Sequence, residues 1–268
     1  MAKRHGGFVP MVGTGVGEAV AAAGVAKELY DAAREQGWVA RLTDVFRAKH
    51  RILVLGASGT GKTNLISSLS NPLPPPIDRL DRTEFSNDVP LRINKKLFVF
   101  VDTPGQIEHE TKRRAAINRA LKGDIEGVLN VVSYGYHEGK SSRAVALSGN
   151  RAKPSYLEAN RGVEITLLNE WAPLLAGTAV RWIITAVSKA DLWWPTQDSV
   201  LEHYRSGFYS DGLRDLHDLG HSVMPYCAVI HRFYGDVPLS GTFDDGERAT
   251  LHRGLLRALV QSTMEAAP

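Results

Sequence analysis

Gly56-Ala57-Ser58-Gly59-Thr60-Gly61-Lys62-Thr63 is the stretch on which the reading of this chain turns. It fits G-x-x-x-x-G-K-[ST], follows the compact apolar run 51–55, and opens a helical pattern over 61–70. Strand, glycine-rich turn and helix in that order form the context in which this motif is a phosphate loop. Glycines let the backbone curl until successive N–H groups point at phosphate oxygens, and the start of the helix adds a favourable field. In such a loop Lys62 neutralises β- and γ-phosphate charge, and the Thr63 hydroxyl is suited to Mg²⁺. The alternative, a chance glycine-rich turn, leaves the strand before it and the helix after it unexplained.

Working outward, Asp102-Thr103-Pro104-Gly105 ends a strand that begins near Leu97. A carboxylate there sits at the carboxyl edge of a parallel sheet, where open α/β folds bind their ligands. Asp102 can hold a magnesium shell through water, and the Gly105 N–H can meet a γ-phosphate. Taken alone the tetrapeptide is an ordinary turn; its place downstream of the phosphate loop makes it a candidate site. Gln106 follows at once and is read either as the group that orients an attacking water or as a solvated loop residue. Ser188-Lys189-Ala190-Asp191 ends the apolar run 182–187. The Asp191 carboxylate accepts hydrogen bonds only, which matches the two donors on the N1 and N2 edge of guanine and not adenine. The Lys189 stem can lie over the base. A plain helix start accounts for the same four residues. Cys227-Ala228, after the next strand, would present backbone N–H groups to the other edge of the base, whereas the Cys227 side chain reads as a small buried hydrophobe.

The 268 residues suffice for one good core and an extension. Residues 1–10 read as a loose tail. Val16, Ala19, Val20, Ala23, Ala26, Leu29, Tyr30 and Ala33 recur at helical spacing, and Trp38, Leu42, Val45 and Phe46 make a second short helix. These form an N-terminal helical extension over 1–48, ahead of a nucleotide-binding domain over 49–268. Strands are expected over 51–55, 89–93, 97–101, 127–132, 180–187 and 222–230, with helices over 61–70 and 111–121. Strands alternating with helices give an α/β fold with a mostly parallel sheet covered on both faces. The short turn at Asn94-Lys95-Lys96 makes one pair antiparallel. The polar stretch 133–160 is expected as an inserted loop.

A net charge of +3, with Lys and Arg scattered along the chain, offers nucleic acid no special surface. The single cysteine cannot form an internal disulfide, no leader pattern opens the chain, and an intracellular, cytoplasmic setting is the simplest expectation. No apolar run is long enough to span a bilayer; the nearest, 12–25, is broken by Glu18. The polar face of the first helix carries charges of both signs, which suits protein contact better than a membrane.

Together these motifs resemble the translation-factor and Ras-like P-loop GTPases over about 51–228. The resemblance implies a six-stranded mixed sheet of the P-loop NTPase fold, GTP and GDP as ligands, Mg²⁺ as cofactor, and two switch loops that tighten on the γ-phosphate. It implies catalytic roles for Lys62, Gln106 and a first-switch threonine, for which Thr83 is best placed, with Thr63, Thr83 and Asp102 as the magnesium set. Arg79 and Arg82 flank that switch and read either as cis-acting cations or as solvated surface. Two departures matter. Ser188 replaces the family's usual Asn or Thr, which removes part of a bridge to the phosphate loop and implies weaker guanine selectivity. Ser58 stands where Ras-like members commonly carry glycine and leaves less room for an arginine supplied by a partner. Trp193, Trp194 and Pro195 read as helix-start packing, and His109 and His137 as loop residues. The leading expectation is a GTP-hydrolysing switch acting on a protein effector. A slow or inactive scaffold that uses its N-terminal helices and the 133–160 stretch, and an ATP-using phosphotransferase, are the competing classes.

Overall fold

The computed structural model describes residues 49–70, 87–93, 96–103, 110–139, 142–213, 216, 219–230, 233–235 and 242–265. The chain divides into two units, Met1–Ala48 and Lys49–Pro268, and every described residue lies in the second. The N-terminal helices expected from sequence therefore lie outside the described residues, as do Arg79, Arg82, Thr83, Gly105, Gln106 and His109.

In chain order the elements are β1 (Lys49–Leu55), α1 (Lys62–Ser70), β2 (Asn87–Ile93), β3 (Lys96–Asp102), α2 (Glu110–Leu121), β4 (Ile125–Val132) and α3 (Arg143–Ala146). There follow β5 (Leu147–Ser148), β6 (Arg151–Ala152), α4 (Pro154–Leu175), β7 (Trp182–Val187), α5 (Ala190–Trp193), a 3₁₀ turn Trp194–Thr196, α6 (Gln197–Arg205), α7 (Gly207–Asp211), β8 (Gly220–Pro225) and α8 (Asp245–Glu265). The main sheet has six strands in the order β2-β3-β1-β4-β7-β8. The β2 and β3 strands run antiparallel and every other pair is parallel. This is the P-loop NTPase α/β fold.

Side chains that alternate along the central strands supply two cores. Leu53 and Leu55 of β1 face a cluster with Ile117 of α2 and Leu168, Trp171 and Leu175 of α4. Ile52 and Val54 face the opposite cluster, with Leu65 and Ile66 of α1 and Leu255 and Leu259 of α8. The strands read as continuous apolar runs because both faces are covered. Parallel register brings their carboxyl ends to one edge: Val54 pairs with Asp102, Leu55 with Asn130, Val132 with Val187, and Val187 with Pro225. Each loop that follows β1, β3, β4, β7 and β8 therefore opens on the same side.

Three expectations shift. The strand expected over 222–230 instead spans Gly220–Pro225, with one more bond to β7 from the Tyr226 N–H to the Val187 carbonyl at 2.8 Å. The strand expected over 180–187 begins at Trp182. The stretch 133–160 is only partly loop: it holds α3 and the β5-β6 hairpin, and Pro154 starts a helix of 22 residues. Proline suits the first helical position, since its missing N–H has no partner there in any case. The buried stripe of α4 begins only at Glu164 and continues through Leu167, Leu168, Trp171 and Leu175, so its first two turns carry no apolar periodicity to betray them.

Gly127 pairs with Trp182, and the indole lies across it: a Cβ at Gly127 would come within 2.1 Å of the Trp182 ring. Gly127→Ala should therefore lower stability by about 1–3 kcal/mol, the usual cost of overpacking. A denaturation midpoint equal to wild type would show that the ring moves freely.

Candidate nucleotide site

The phosphate loop owes its path to three glycines with positive φ, Gly56 at 136°, Gly59 at 81° and Gly61 at 93°. Two of them also have no room for a side chain. A Cβ at Gly56 would meet the Val131 carbonyl at 2.1 Å, and one at Gly59 would meet the Glu138 carbonyl at 2.4 Å. Thr60 Oγ1 donates to the Ala57 carbonyl at 2.9 Å and closes the turn. Lys62, the first residue of α1, folds its ammonium back over the loop and donates to the Gly56 and Ala57 carbonyls at 2.8 and 3.0 Å. It is only 8% exposed. Burial pushes its pKa down, Asp102 opposes that shift and Arg113 reinforces it. A desolvated cation above a curled loop at a helix N-terminus is a receptor for an anion, whose charge would offset the lost hydration.

Asp102 ends β3 and is buried, while Thr63 is exposed on the first turn of α1. Thr103 Oγ1 donates to the Val54 carbonyl at 2.8 Å and ties the end of β3 to β1. A hydroxyl and a carboxylate beside a phosphate loop form a hard-oxygen donor set of the kind Mg²⁺ accepts. These residues fit the ion.

On the other side of the loop, Ser188 Oγ donates to the Thr60 carbonyl. Where the family's usual Asn or Thr would bridge these loops, the Ser188 hydroxyl makes a direct bond to phosphate-loop backbone. Lys189 has a left-handed backbone, φ 58°, and its buried ammonium reaches the Tyr136 carbonyl at 2.7 Å and Glu138 Oε2 at 2.9 Å. Burial pulls its pKa down, and Glu138, foremost among nearby carboxylates, pulls the other way. Asp191 is fully buried. The single Cys227 thiol proton is shared between Asp191 Oδ1 at 3.3 Å and the Val229 carbonyl at 3.4 Å. Burial and the neighbouring Asp191 charge raise the Cys227 pKa well above the usual thiol range, so the group stays a protonated donor. Cys227 is buried, as expected, and its thiol also meets the Asp191 carboxylate. The Ala228 carbonyl accepts from Arg248 at 3.3 Å. Trp193 packs under this loop and donates its indole N–H to the Ser188 carbonyl at 2.9 Å, while Trp194 meets the Phe243 ring edge-on at 5.1 Å.

The loop after β4 carries residues the sequence did not single out. Glu164 of α4 accepts from the Ser133 and Gly135 N–H groups at 2.9 and 3.4 Å, from His137 Nε2 at 2.8 Å, and from the Tyr204 hydroxyl. Burial raises the Glu164 pKa, but His137, Tyr204 and Ser133 together bring it below the ordinary carboxylate value. His137 lies in a loop, as expected, and there it is a buried partner of Glu164. No motif flags Glu164, which is an isolated acid in a helix.

Residues 51–161 match the family model described as 50S ribosome-binding GTPase. Over that stretch the chain is similar to the P-loop GTPases. The match includes the phosphate loop and Asp102; Ser188 to Asp191 and Cys227 fall beyond it. No curated protein matches this chain in sequence. Solved structures similar to it include the Arl6 BBS3 small GTPase of Trypanosoma brucei with a bound nucleotide analogue, at 13% identity and TM-score 0.43, covering 79% of this chain and 99% of that one. A GTP-binding protein of Sulfolobus solfataricus in complex with GDP is 14% identical with TM-score 0.47, over 92% of this chain and 62% of that one. Translation elongation factor SelB of Methanococcus maripaludis with a GTP analogue is 14% identical with TM-score 0.43, over 83% of this chain and 35% of that one. This chain thus spans less than two thirds of the length of the latter two proteins. Among its described residues no helix is long and apolar enough to cross a membrane.

Ser188→Ala removes the hydroxyl from a buried carbonyl. Stability should fall by about 1 kcal/mol, with nucleotide affinity falling alongside it. Unchanged melting and unchanged affinity together would show that the Thr60 carbonyl finds another donor.

Proposed function

We propose that this chain is a P-loop GTPase acting as a nucleotide-dependent switch: it binds GTP with Mg²⁺, hydrolyses it to GDP and phosphate, and changes its affinity for a protein effector as the nucleotide changes. The observation that carries the reading is the joining of phosphate loop and Ser188–Asp191 loop through the Ser188 hydroxyl, which supports one continuous seat for phosphates and base. In this reading 49–268 is the nucleotide domain and 1–48 an accessory unit. The backbone from Gly56 to Thr63 cradles the phosphates, and Lys62 neutralises their charge. Thr63, Asp102 and Thr83 hold Mg²⁺, which when bound draws charge from the phosphate oxygens. Gly105 meets the γ-phosphate, and Gln106 orients the attacking water. Lys189 lies over guanine, Asp191 reads its N1 and N2 donors, and Cys227 and Ala228 line its other edge. A chain with one buried, unpaired cysteine suits the reducing cytoplasm. The scaffold alternative draws on the fact that much of the 133–160 stretch is ordered around Glu164; single-turnover phosphate release distinguishes it.

If Gln106 orients water, Gln106→Leu slows single-turnover hydrolysis by about tenfold or more with GTP affinity nearly unchanged, because the loss falls on the transition state. An unaltered rate assigns that role elsewhere. The base assignment has a separate test. Asp191→Asn sets an amide donor against a guanine donor, so GTP should weaken by about tenfold or more while xanthosine triphosphate, which carries a carbonyl there, gains relative affinity. Competition among GTP, ATP and xanthosine triphosphate with Mg²⁺ measures both. Wild type binding ATP as tightly as GTP, with the mutant ranking all three as before, would reduce 188–191 to a helix start.

A further inference from the structure

The loop after β4 lies between the phosphate loop and Lys189, and one residue of it touches both. Glu138 N–H donates to the Gly59 carbonyl at 3.2 Å. One of its carboxylate oxygens takes the Lys189 ammonium at 2.9 Å, and the other accepts the Tyr234 N–H at 3.0 Å. The Phe233 ring lies 5.7 Å from the same ammonium. We propose that Glu138 is the positioning residue for guanine: it anchors the far end of Lys189, so that the lysine stem stays stretched where the base stacks, and it locks the loops after β1, β4 and β8 into one frame. The proposal deepens the base-site reading above and rests on it.

The physical case has two parts. The Lys189 side chain is 8% exposed, and its ammonium has a neutral carbonyl, that of Tyr136, and one carboxylate within hydrogen-bond reach. Removing one partner of a buried ion pair leaves the other charge uncompensated, which is far more costly than losing an exposed pair. The lysine answers by withdrawing toward water, and a long flexible stem permits that. Its backbone, moreover, sits in the left-handed region that non-glycine residues seldom adopt. A conformation of this kind persists only where the surroundings enforce it, and the anchored side chain is part of that enforcement. The Lys62 ammonium, by contrast, bonds to Gly56 and Ala57 carbonyls and makes no bond to Glu138. Loss of Glu138 should therefore strike recognition of the base and spare the hold on phosphate.

The test uses the full chain with Mg²⁺ and measures GDP and ADP dissociation constants for wild type, Glu138→Ala, Glu138→Gln, Lys189→Ala and the Glu138→Ala, Lys189→Ala double variant. Glu138→Ala should weaken GDP by about tenfold or more and leave ADP within about threefold, and the double variant should bind GDP no more weakly than Lys189→Ala alone. Glu138→Gln retains an oxygen acceptor and the side-chain length but not the charge, and should fall between wild type and Glu138→Ala. It also decides the question if Glu138→Ala does not fold: a GDP loss of about threefold or more supports the proposal, and wild-type affinity overturns it. Equal losses for GDP and ADP, or additive losses in the double variant, would overturn it by making Glu138 a prop of the phosphate loop. Wild type without preference for GDP, or a silent Lys189→Ala, would overturn the base-site reading itself and the role of Glu138 with it.

Discussion

The Val131 carbonyl occupies the place where a Cβ on Gly56 would lie, and the Glu138 backbone does the same at Gly59. Packing of backbone against backbone on both sides thus holds the phosphate loop, with left-handed conformations that glycine adopts at no steric cost. Everything nearby depends on that confinement. Because the loop cannot drift, Lys62 can fold its ammonium onto the Gly56 and Ala57 carbonyls, Ser188 can find the Thr60 carbonyl, and α1 begins with its N-terminus facing the loop. The confinement comes from β4 and the loop beyond it, so the strand that contributes no recognisable motif shapes the one that does.

Two buried ammonium groups flank this loop and are managed differently. Lys62 has neutral carbonyl partners, which leaves its charge for an incoming anion. Lys189 has a carboxylate partner, so its charge is already matched and its stem becomes a structural surface. Burial lowers the pKa of both, and the difference between them lies in what opposes the shift: Asp102 for Lys62, chiefly Glu138 for Lys189. Behind Glu138, the loop from Ser133 to His137 hangs on Glu164, whose carboxylate gathers two backbone N–H groups, an imidazole and a phenol. Satisfied on all sides, a buried carboxylate of this sort stiffens what it touches.

The sequence by itself determined the alternation of strands and helices, the phosphate loop, the antiparallel pair at the sheet edge, and the placing of Asp102 and Ser188–Asp191 after strands. These are local facts: the periodicity of apolar residues, glycines where φ must be positive, and carboxylates at strand ends all sit within a few residues of what they explain. Only the tertiary structure decided that Ser188 bridges to Thr60 across a sequence separation of 128, that Cys227 donates to Asp191 across 36, and that Glu138 meets Lys189 across 51. The start of α4 was likewise hidden, because its first turns are only half-buried and its fully buried stripe begins at Glu164. Such contacts carry no signature along the chain. A serine, a thiol or a lone glutamate becomes a partner only when parallel strands in register deliver their loops to one edge, and register is a property of the sheet rather than of any segment within it.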